Sequence, residues 1–174
     1  MSWICCHISS DFYYFTFLWL GYECLQVDWK RRKLTPQDLD LSYKGLTALP
    51  RYTEKLIYLT ELNLNHNELT HLPESIGVLV NLLYLFVNNN RLSLLPTSMK
   101  NLEKLQQLDL RNNKLKGPFK GIGDLMQLQE LYVEGNPLTL QVIKSLVELM
   151  DSKSGKLTID IAGKDKIKNF KITL

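Results

Sequence analysis

Apolar side chains recur along this chain at a fixed step of 23 residues. Leu59, Leu82, Leu105 and Leu128 stand in one column. Leu62, Leu85, Leu108 and Leu131 follow three positions later, and Leu64, Val87, Leu110 and Val133 two positions after those. Leu69, Leu92, Leu115 and Leu138 continue the register, as do Ile76, Met99 and Ile122, and then Leu79, Leu102 and Leu125. One polar column keeps the same step: Asn67, Asn90, Asn113 and Asn136. One step earlier lies a weaker unit with Leu39, Leu41, Leu46, Leu49, Pro50 and Leu56, but with Lys44 in the asparagine place and Pro36 in the place of the opening leucine. The chain therefore carries five units, the first and last atypical. Within a unit, Leu62 and Leu64 alternate with Glu61, Asn63 and Asn65. That is the period of a strand with one buried face. A strand so short cannot bury its leucines alone. Stacked neighbours can, as a parallel sheet over a continuous core.

The asparagines fall at the bend after each strand, where their amides can satisfy backbone groups of adjacent turns. This predicts a ladder through the interior, each rung worth about 1 kcal/mol net and costing roughly 1–3 kcal/mol when a partner is lost. Lys44 cannot serve as an interior rung and marks an end unit. Pro50, Pro73 and Pro96 follow Leu49, Leu72 and Leu95 and start the return segment, extended or as a short helix. In the fourth unit Pro118 takes the leucine place, which predicts a changed loop there with Phe119 filling the gap.

An open stack exposes core leucines at both ends and needs caps. After Leu138 the spacing turns helical, with Leu140, Ile143, Val147 and Met150 near one face and Leu146 beside them, so 140–151 is expected to be a capping helix. Leu157, Ile159 and Ile161 then alternate as a strand, and 164–174 is a second short strand or a loose basic tail. At the other end, Phe12 to Leu20 reads FYYFTFLWL, nine residues without a charge. A helix of that length spans ~14 Å against ~30 Å of bilayer hydrocarbon. Extending it back to Trp3 brings in Asp11, at roughly 2.5–3.5 kcal/mol near the centre of a span. No basic stretch precedes it, so a signal peptide fits poorly. Three readings stay open for residues 1–33: an aromatic cap on the first unit, a membrane attachment aided by acylation of Cys5 and Cys6 with Lys30–Lys33 (KRRK) behind it, or a segment outside the working fold. The organisation is then 1–33, repeats over 34–139, and a C-terminal cap and tail over 140–174.

The units LTELNLNHNELTHLPESIGVLVN and LLYLFVNNNRLSLLPTSMKNLEK resemble the 23-residue intracellular type of leucine-rich repeat, LxxLxLxxNxLxxLPxxIxxLxx, over about residues 36–138. Ras-suppressor and Ras-scaffold proteins and the epithelial PDZ-linked scaffolds carry this type. The resemblance implies an α/β solenoid, a short curved parallel sheet of about five units with N- and C-terminal caps, and a function in binding other proteins. Extracellular relatives usually bracket their repeats with cysteine-rich caps. Here Cys5, Cys6 and Cys24 are the three cysteines, all before the repeats, which favours a cytoplasmic setting with membrane association as the alternative.

Composition alters this picture little. The 174 residues suffice for one core, and 45% hydrophobic with 22% charged residues is ordinary for a soluble domain. A formal charge of +3 is too small an excess to indicate a nucleic-acid binder. The charge distribution says more. Positions between the strand leucines face outward on the concave side, in three columns: Asp38, Glu61, Tyr84, Gln107 and Glu130; Asp40, Asn63, Phe86, Asp109 and Tyr132; Ser42, Asn65, Asn88, Arg111 and Glu134. Six acids (Asp38, Asp40, Glu61, Asp109, Glu130, Glu134) less Arg111 leave this face at −5 on a chain of +3. Tyr84, Phe86 and Tyr132 stand among them. Exposed aromatics in a polar surround are the anatomy of a binding hot spot, and acids around them favour a basic partner. The candidate contacts are Tyr84, Phe86, Tyr132, Asp109, Arg111, Glu61, Asn88, Glu130 and Glu134, with His66 and Asn89 bordering them. Five strands at ~4.8 Å span ~19 Å, and with strands ~13 Å long the bare sheet offers only a few hundred Å², short of the ~800 Å² per partner of a standard interface. The face therefore suits a peptide, a single helix or a small lobe of a basic, apolar protein. A monomer is expected.

No catalytic constellation emerges. His66 and His71 lie five apart without cysteine nearby, Cys5-Cys6-His7 lacks a second ligand cluster, and Gly121-Ile122-Gly123 is not followed by a third glycine. The chain is read as a non-enzyme without cofactor or metal, an intracellular adaptor or signalling scaffold, with a membrane-attached recognition protein or a structural subunit of a larger assembly as the alternatives.

Overall fold

The computed structural model describes residues 18–20, 23–25, 37–49, 56–119, 121–152, 158–160 and 171–172. The expectations for the N-terminal aromatic segment as cap or anchor and for a basic tail fall mostly outside these residues. Only two short antiparallel strands, β1 (Leu18–Leu20) and β2 (Glu23–Leu25), are described in the first 33.

Each repeat contributes a three-residue strand: β3 (Asp38–Asp40), β4 (Glu61–Asn63), β5 (Tyr84–Phe86), β6 (Gln107–Asp109) and β7 (Glu130–Tyr132). They pair in parallel and in strict register, Leu39, Leu62, Leu85, Leu108 and Leu131 side by side. β8 (Thr158–Asp160) continues the sheet in parallel, and β9 (Lys171–Ile172) closes it antiparallel. The central residue of every repeat strand points inward, and the apolar columns named above are buried there in one continuous core, with Leu138 at the C-terminal end half-buried against it. The protein is an open leucine-rich solenoid with a parallel sheet on its concave side.

The asparagines tie this stack together. Asn90 Nδ2 donates to the carbonyls of Leu64 (2.9 Å), Val87 (3.1 Å) and Asn88 (3.2 Å), and its Oδ1 accepts the Leu69 N–H at 3.0 Å. Asn67 and Asn113 repeat the arrangement, and all three are buried. Asn136, half-buried, does the same at the C-terminal end. At the other end Lys44 contributes only its backbone, an N–H given to Asn67 Oδ1.

On the convex side Pro73 and Pro96 precede 3-10 helices at Glu74–Val78 and Thr97–Asn101. The Glu74 carboxylate reaches along the axis to accept the N–H groups of Thr97 (3.1 Å) and Ser98 (2.9 Å), so one repeat caps the next. Those hydrogen bonds, the Ser98 N–H foremost, hold its pKa below the usual value. The fourth repeat departs from the pattern. A cis Gly117–Pro118 bond brings Pro118 into the leucine place of earlier units, Pro118 is exposed, Phe119 stands in the place of Pro73 and Pro96 and packs partly buried against the core, and turns over 121–124 replace the 3-10 helix.

α1 (Leu140–Ser152) closes the C-terminal end, its first turn supported by Thr139 Oγ1, which accepts the Val142 N–H. Its buried face differs from the one read from spacing. Val142 and Leu146 are buried and Leu149 is half-buried, whereas Leu140 is 73% exposed. The cause lies in the preceding loop. Gly117 at φ +80° has no side chain, and a Cβ there would run into Val142. Val142 therefore packs where Gly117 presents no side chain.

Asn90→Ala should lower stability by roughly 3 kcal/mol, since it leaves buried carbonyls and an N–H unpaired. Asn136→Ala, with its partners nearer solvent, should cost about half as much. Urea unfolding at unchanged slope reads both. Gly117→Ala should loosen α1, at roughly 1–3 kcal/mol for a non-glycine residue held at positive φ. Its signature is faster amide exchange in α1 with the repeats still protected.

Candidate protein-binding face

β3 to β7 present their first and third residues on the concave side, so Glu61, Tyr84, Phe86, Asp109, Glu130 and Tyr132 all lie on one sheet face, with Asn88, Arg111 and Glu134 two residues beyond each central leucine's outward neighbour. Tyr84 and Phe86, successive on one side of β5, stand half-exposed with ring planes 5° apart and centroids 6.5 Å apart.

The middle column has a backbone duty. Asp40 accepts the Ser42 N–H (2.8 Å), Asn63 the Asn65 N–H (3.1 Å) and Asp109 the Arg111 N–H (3.1 Å), each closing a turn two residues on. Phe86 has no oxygen with which to do this. The Asn88 N–H is instead taken by Asn65 Oδ1 of the neighbouring strand at 2.8 Å. An aromatic ring thus occupies a position that locally wants a short polar acceptor. Such a departure from the local rule is where function is sought.

Asp109 corrects the sequence reading. It was expected as an outward contact, yet it is 2% exposed. Arg111, two residues along, folds back over it with Nε to Oδ1 at 2.9 Å and Nη2 to Oδ2 at 2.6 Å, and Asn88 Nδ2 closes the other side at 2.8 Å. Burial opposes the carboxylate's charge, but the hydrogen bonds from Arg111 and Asn88 outweigh it and hold the pKa below the usual value. The same bonds push the guanidinium's pKa up. Arg111 then lies over the Tyr132 ring, 5.0 Å from its centroid, and Tyr132 Oη donates to Glu130 Oε2 at 2.9 Å. Burial, with that bond to Glu130, raises the phenol's pKa. Asp109 is therefore the buried anchor of a fixed Arg111–Tyr132–Glu130 array.

The rim holds His66 and Asn89, expected at the border of the face, together with Tyr43, Asn112 and Gly135, which the sequence reading did not name. Tyr43, His66, Asn89, Asn112 and Gly135, again 23 apart, all have positive φ, between 53° and 72°. Asn and Gly suit that backbone; a tyrosine there is unusual. Tyr43, 72% exposed, stacks on His66 at 4.2 Å and 8°, and the row continues through Asn89 to Asn112 by side-chain hydrogen bonds. The position just before each asparagine was the signal that could have found the other three. Among the described residues no three His, Cys, Asp or Glu side chains are grouped to hold a metal ion, and no described helix is long and apolar enough to cross a membrane.

The profile of the family described as leucine-rich repeat region matches residues 34–169. No curated protein matches the sequence. Among solved structures the chain is similar to a leucine-rich-repeat protein of Leptospira interrogans (37% identity over 66% of this chain and 28% of that one, TM-score 0.61). It is also similar to an internalin C2 of Listeria monocytogenes (25% identity, 72% of this chain and 51% of that one, TM-score 0.61). A third similar structure is the leucine-rich-repeat ectodomain of the receptor kinase SOBIR1 of Arabidopsis thaliana (26% identity, 72% and 68%, TM-score 0.56). The chain thus spans about a quarter of the first of these and half of the second.

Because the pKa of Asp109 is depressed on folding, the pair adds stability above the ordinary carboxylate value of 3.8 and loses it as pH falls through the folded value. Asp109→Asn should therefore be less stable than wild type at neutral pH, and the gap should narrow below about pH 4, as urea unfolding at pH 7 and pH 3 would read. Arg111→Leu, which strands the buried carboxylate with fewer donors, should cost about 2 kcal/mol at pH 7.

Proposed function

The chain belongs to the leucine-rich-repeat family, and from that premise we propose that it is an adaptor or signalling scaffold working in the cytoplasm as a monomer, which takes a basic, apolar protein segment on its concave face. Leucine-rich-repeat domains generally bind other proteins. The observation that carries the proposal is Phe86, set with Tyr84 on β5 in a column whose other strands use short polar acceptors or the anchored Tyr132. Rings kept at the centre of a polar face stabilise a complex by desolvation far more than they stabilise the free sheet. The surrounding carboxylates raise the encounter rate with cations and disfavour nucleic acid. The face is small, so the segment is a peptide, a helix or a lobe.

A membrane-attached recognition protein is the second reading. It draws on the similarity to a receptor-kinase ectodomain and on the uncharged FYYFTFLWL stretch. Cell fractionation separates the two, because an anchored chain pellets with membranes and resists salt washing.

Affinity purification with wild type beside Tyr84→Ala/Phe86→Ala tests the main reading, once both are seen to unfold at similar urea. One protein selectively lost by the double variant, by tenfold or more, is the expected result; truncating hot-spot residues costs at least about 2 kcal/mol each. Equal recovery of the same proteins by both forms would remove the concave face from consideration.

A further inference from the structure

The convex side is not closed to the same depth along its length. Gly77 of the second unit lies so near the third that a Cβ there would stand 2.6 Å from Ser98 Cβ, closer than side chains pack. Gly123 holds the same repeat position two units later. A Cβ there would meet only Leu149 Cδ1, at 3.7 Å, an ordinary contact. The neighbour has changed: α1 stands where a 3-10 turn would stack, and the loop it faces has lost its own 3-10 helix. A cleft of about 700 Å³, partly open to solvent, remains between them. That is the size of a small-molecule site. Phe119, Val142, Leu146 and Leu149 give it an apolar wall. It follows α1 from Gln141 to Leu149, roughly 12 Å at 1.5 Å per residue.

Among the described residues Lys116 is the one charged side chain that lines this cleft, and no acid does. Lys116 is exposed, and neither of the ion pairs among the described residues engages it. It precedes Gly117, which abuts Val142 in the first turn of α1, so the cation belongs to the end of the cleft where the helix begins. Thr139 and Gln141 bring neutral polar groups to that end, and the first turn of α1 carries no acid to oppose an incoming anion. We propose that the cleft binds a fatty acid, its carboxylate on the Lys116 ammonium and its chain along α1 toward Leu146 and Leu149. One cation matches one negative charge. A phosphate monoester carries about −1.5 to −2 at neutral pH and would be left partly unanswered. An apolar wall running this far along one helix suits a chain. The site lies on the convex side, away from the concave sheet, and stands independently of the protein-binding reading.

The test is titration of the purified full chain with decanoate and with decanol, read by calorimetry and by amide NMR shifts. Decanoate should move the amides of the 116–123 loop and of α1 and leave those of β4 to β6 in place. Affinity should rise about fourfold per methylene from hexanoate to decanoate. Decanol should bind about fivefold more weakly than decanoate. Lys116→Gln should remove that preference and leave decanol binding unchanged. Gly123 does not have a positive φ, so Gly123→Leu sets a side chain into the cleft without backbone strain and should abolish binding of both. Ser145→Phe fills the cleft from the exposed side of α1 and takes its place if Gly123→Leu unfolds at lower urea. Tyr84→Ala/Phe86→Ala should bind decanoate as wild type does. Equal affinity of wild type for acid and alcohol, decanoate binding that survives both filling variants, or no binding at all would overturn the proposal. So would a dimer that Gly123→Leu breaks, since a second copy of the chain would then fill the cleft.

Discussion

The structure depends on a side-chain amide placed where the backbone cannot satisfy itself. A three-residue strand followed by a bend leaves carbonyls and N–H groups facing the interior of the solenoid, with no helix or longer ladder to take them. Asn67, Asn90 and Asn113 supply two donors and one acceptor at each bend and spend them on two successive repeats. Asparagine alone has the right reach and the right mix of donor and acceptor: aspartate could only accept, and glutamine is one methylene too long. The leucine columns drive the stack together, but apolar burial is non-directional. The rungs convert that attraction into a register in which every repeat strand matches its neighbour residue for residue.

That register turns sequence columns into surface columns. Once the strands align, an outward position in one repeat lies beside the same position in the next, and each column becomes a row of neighbours across the concave side. In the middle column the row has a structural task, closing the turn two residues on, and Asp40, Asn63 and Asp109 perform it. At Phe86 the task passes to Asn65 of the adjacent strand. The fold tolerates the ring only because the neighbouring repeat has a spare acceptor at the right height, so the site is built from the same inter-repeat bonding that holds the solenoid.

Much of this was legible from the chain. The 23-residue step placed every repeat strand, because period-2 burial and a fixed step leave one consistent arrangement. The asparagines' role followed from residue chemistry. Two things were not legible, for different physical reasons. The face that α1 buries depended on a cavity in another repeat: Val142 enters where Gly117 lacks a side chain, and no periodicity within 140–152 carries that information. The burial of Asp109 depended on the conformation of Arg111, two residues away, which had been read as a separate outward residue. The positive-φ row at Tyr43 and His66 was present as a column, but its residue types are too mixed to be seen by eye.

Asp109 also shows why formal charge misleads on such a face. Counted by residue, the concave side is acidic from end to end. Counted by what each carboxylate already binds, Asp109 drops out with Arg111, and Asp38, Asp40, Glu61, Glu130 and Glu134 remain to carry the acidity. Pairing Asp109 with Arg111 does more than cancel a charge. The fork fixes a side chain that would otherwise lose rotamer freedom on binding, and the ring of Tyr132 beneath it is fixed in turn by Glu130. The entropy of ordering these three groups has been spent in folding, so a partner meeting them does not spend it again. The Arg111–Tyr132–Glu130 array is thus suited to fitting a partner, and the Tyr84–Phe86 pair lies beside it, where the desolvation that holds the complex together would take place.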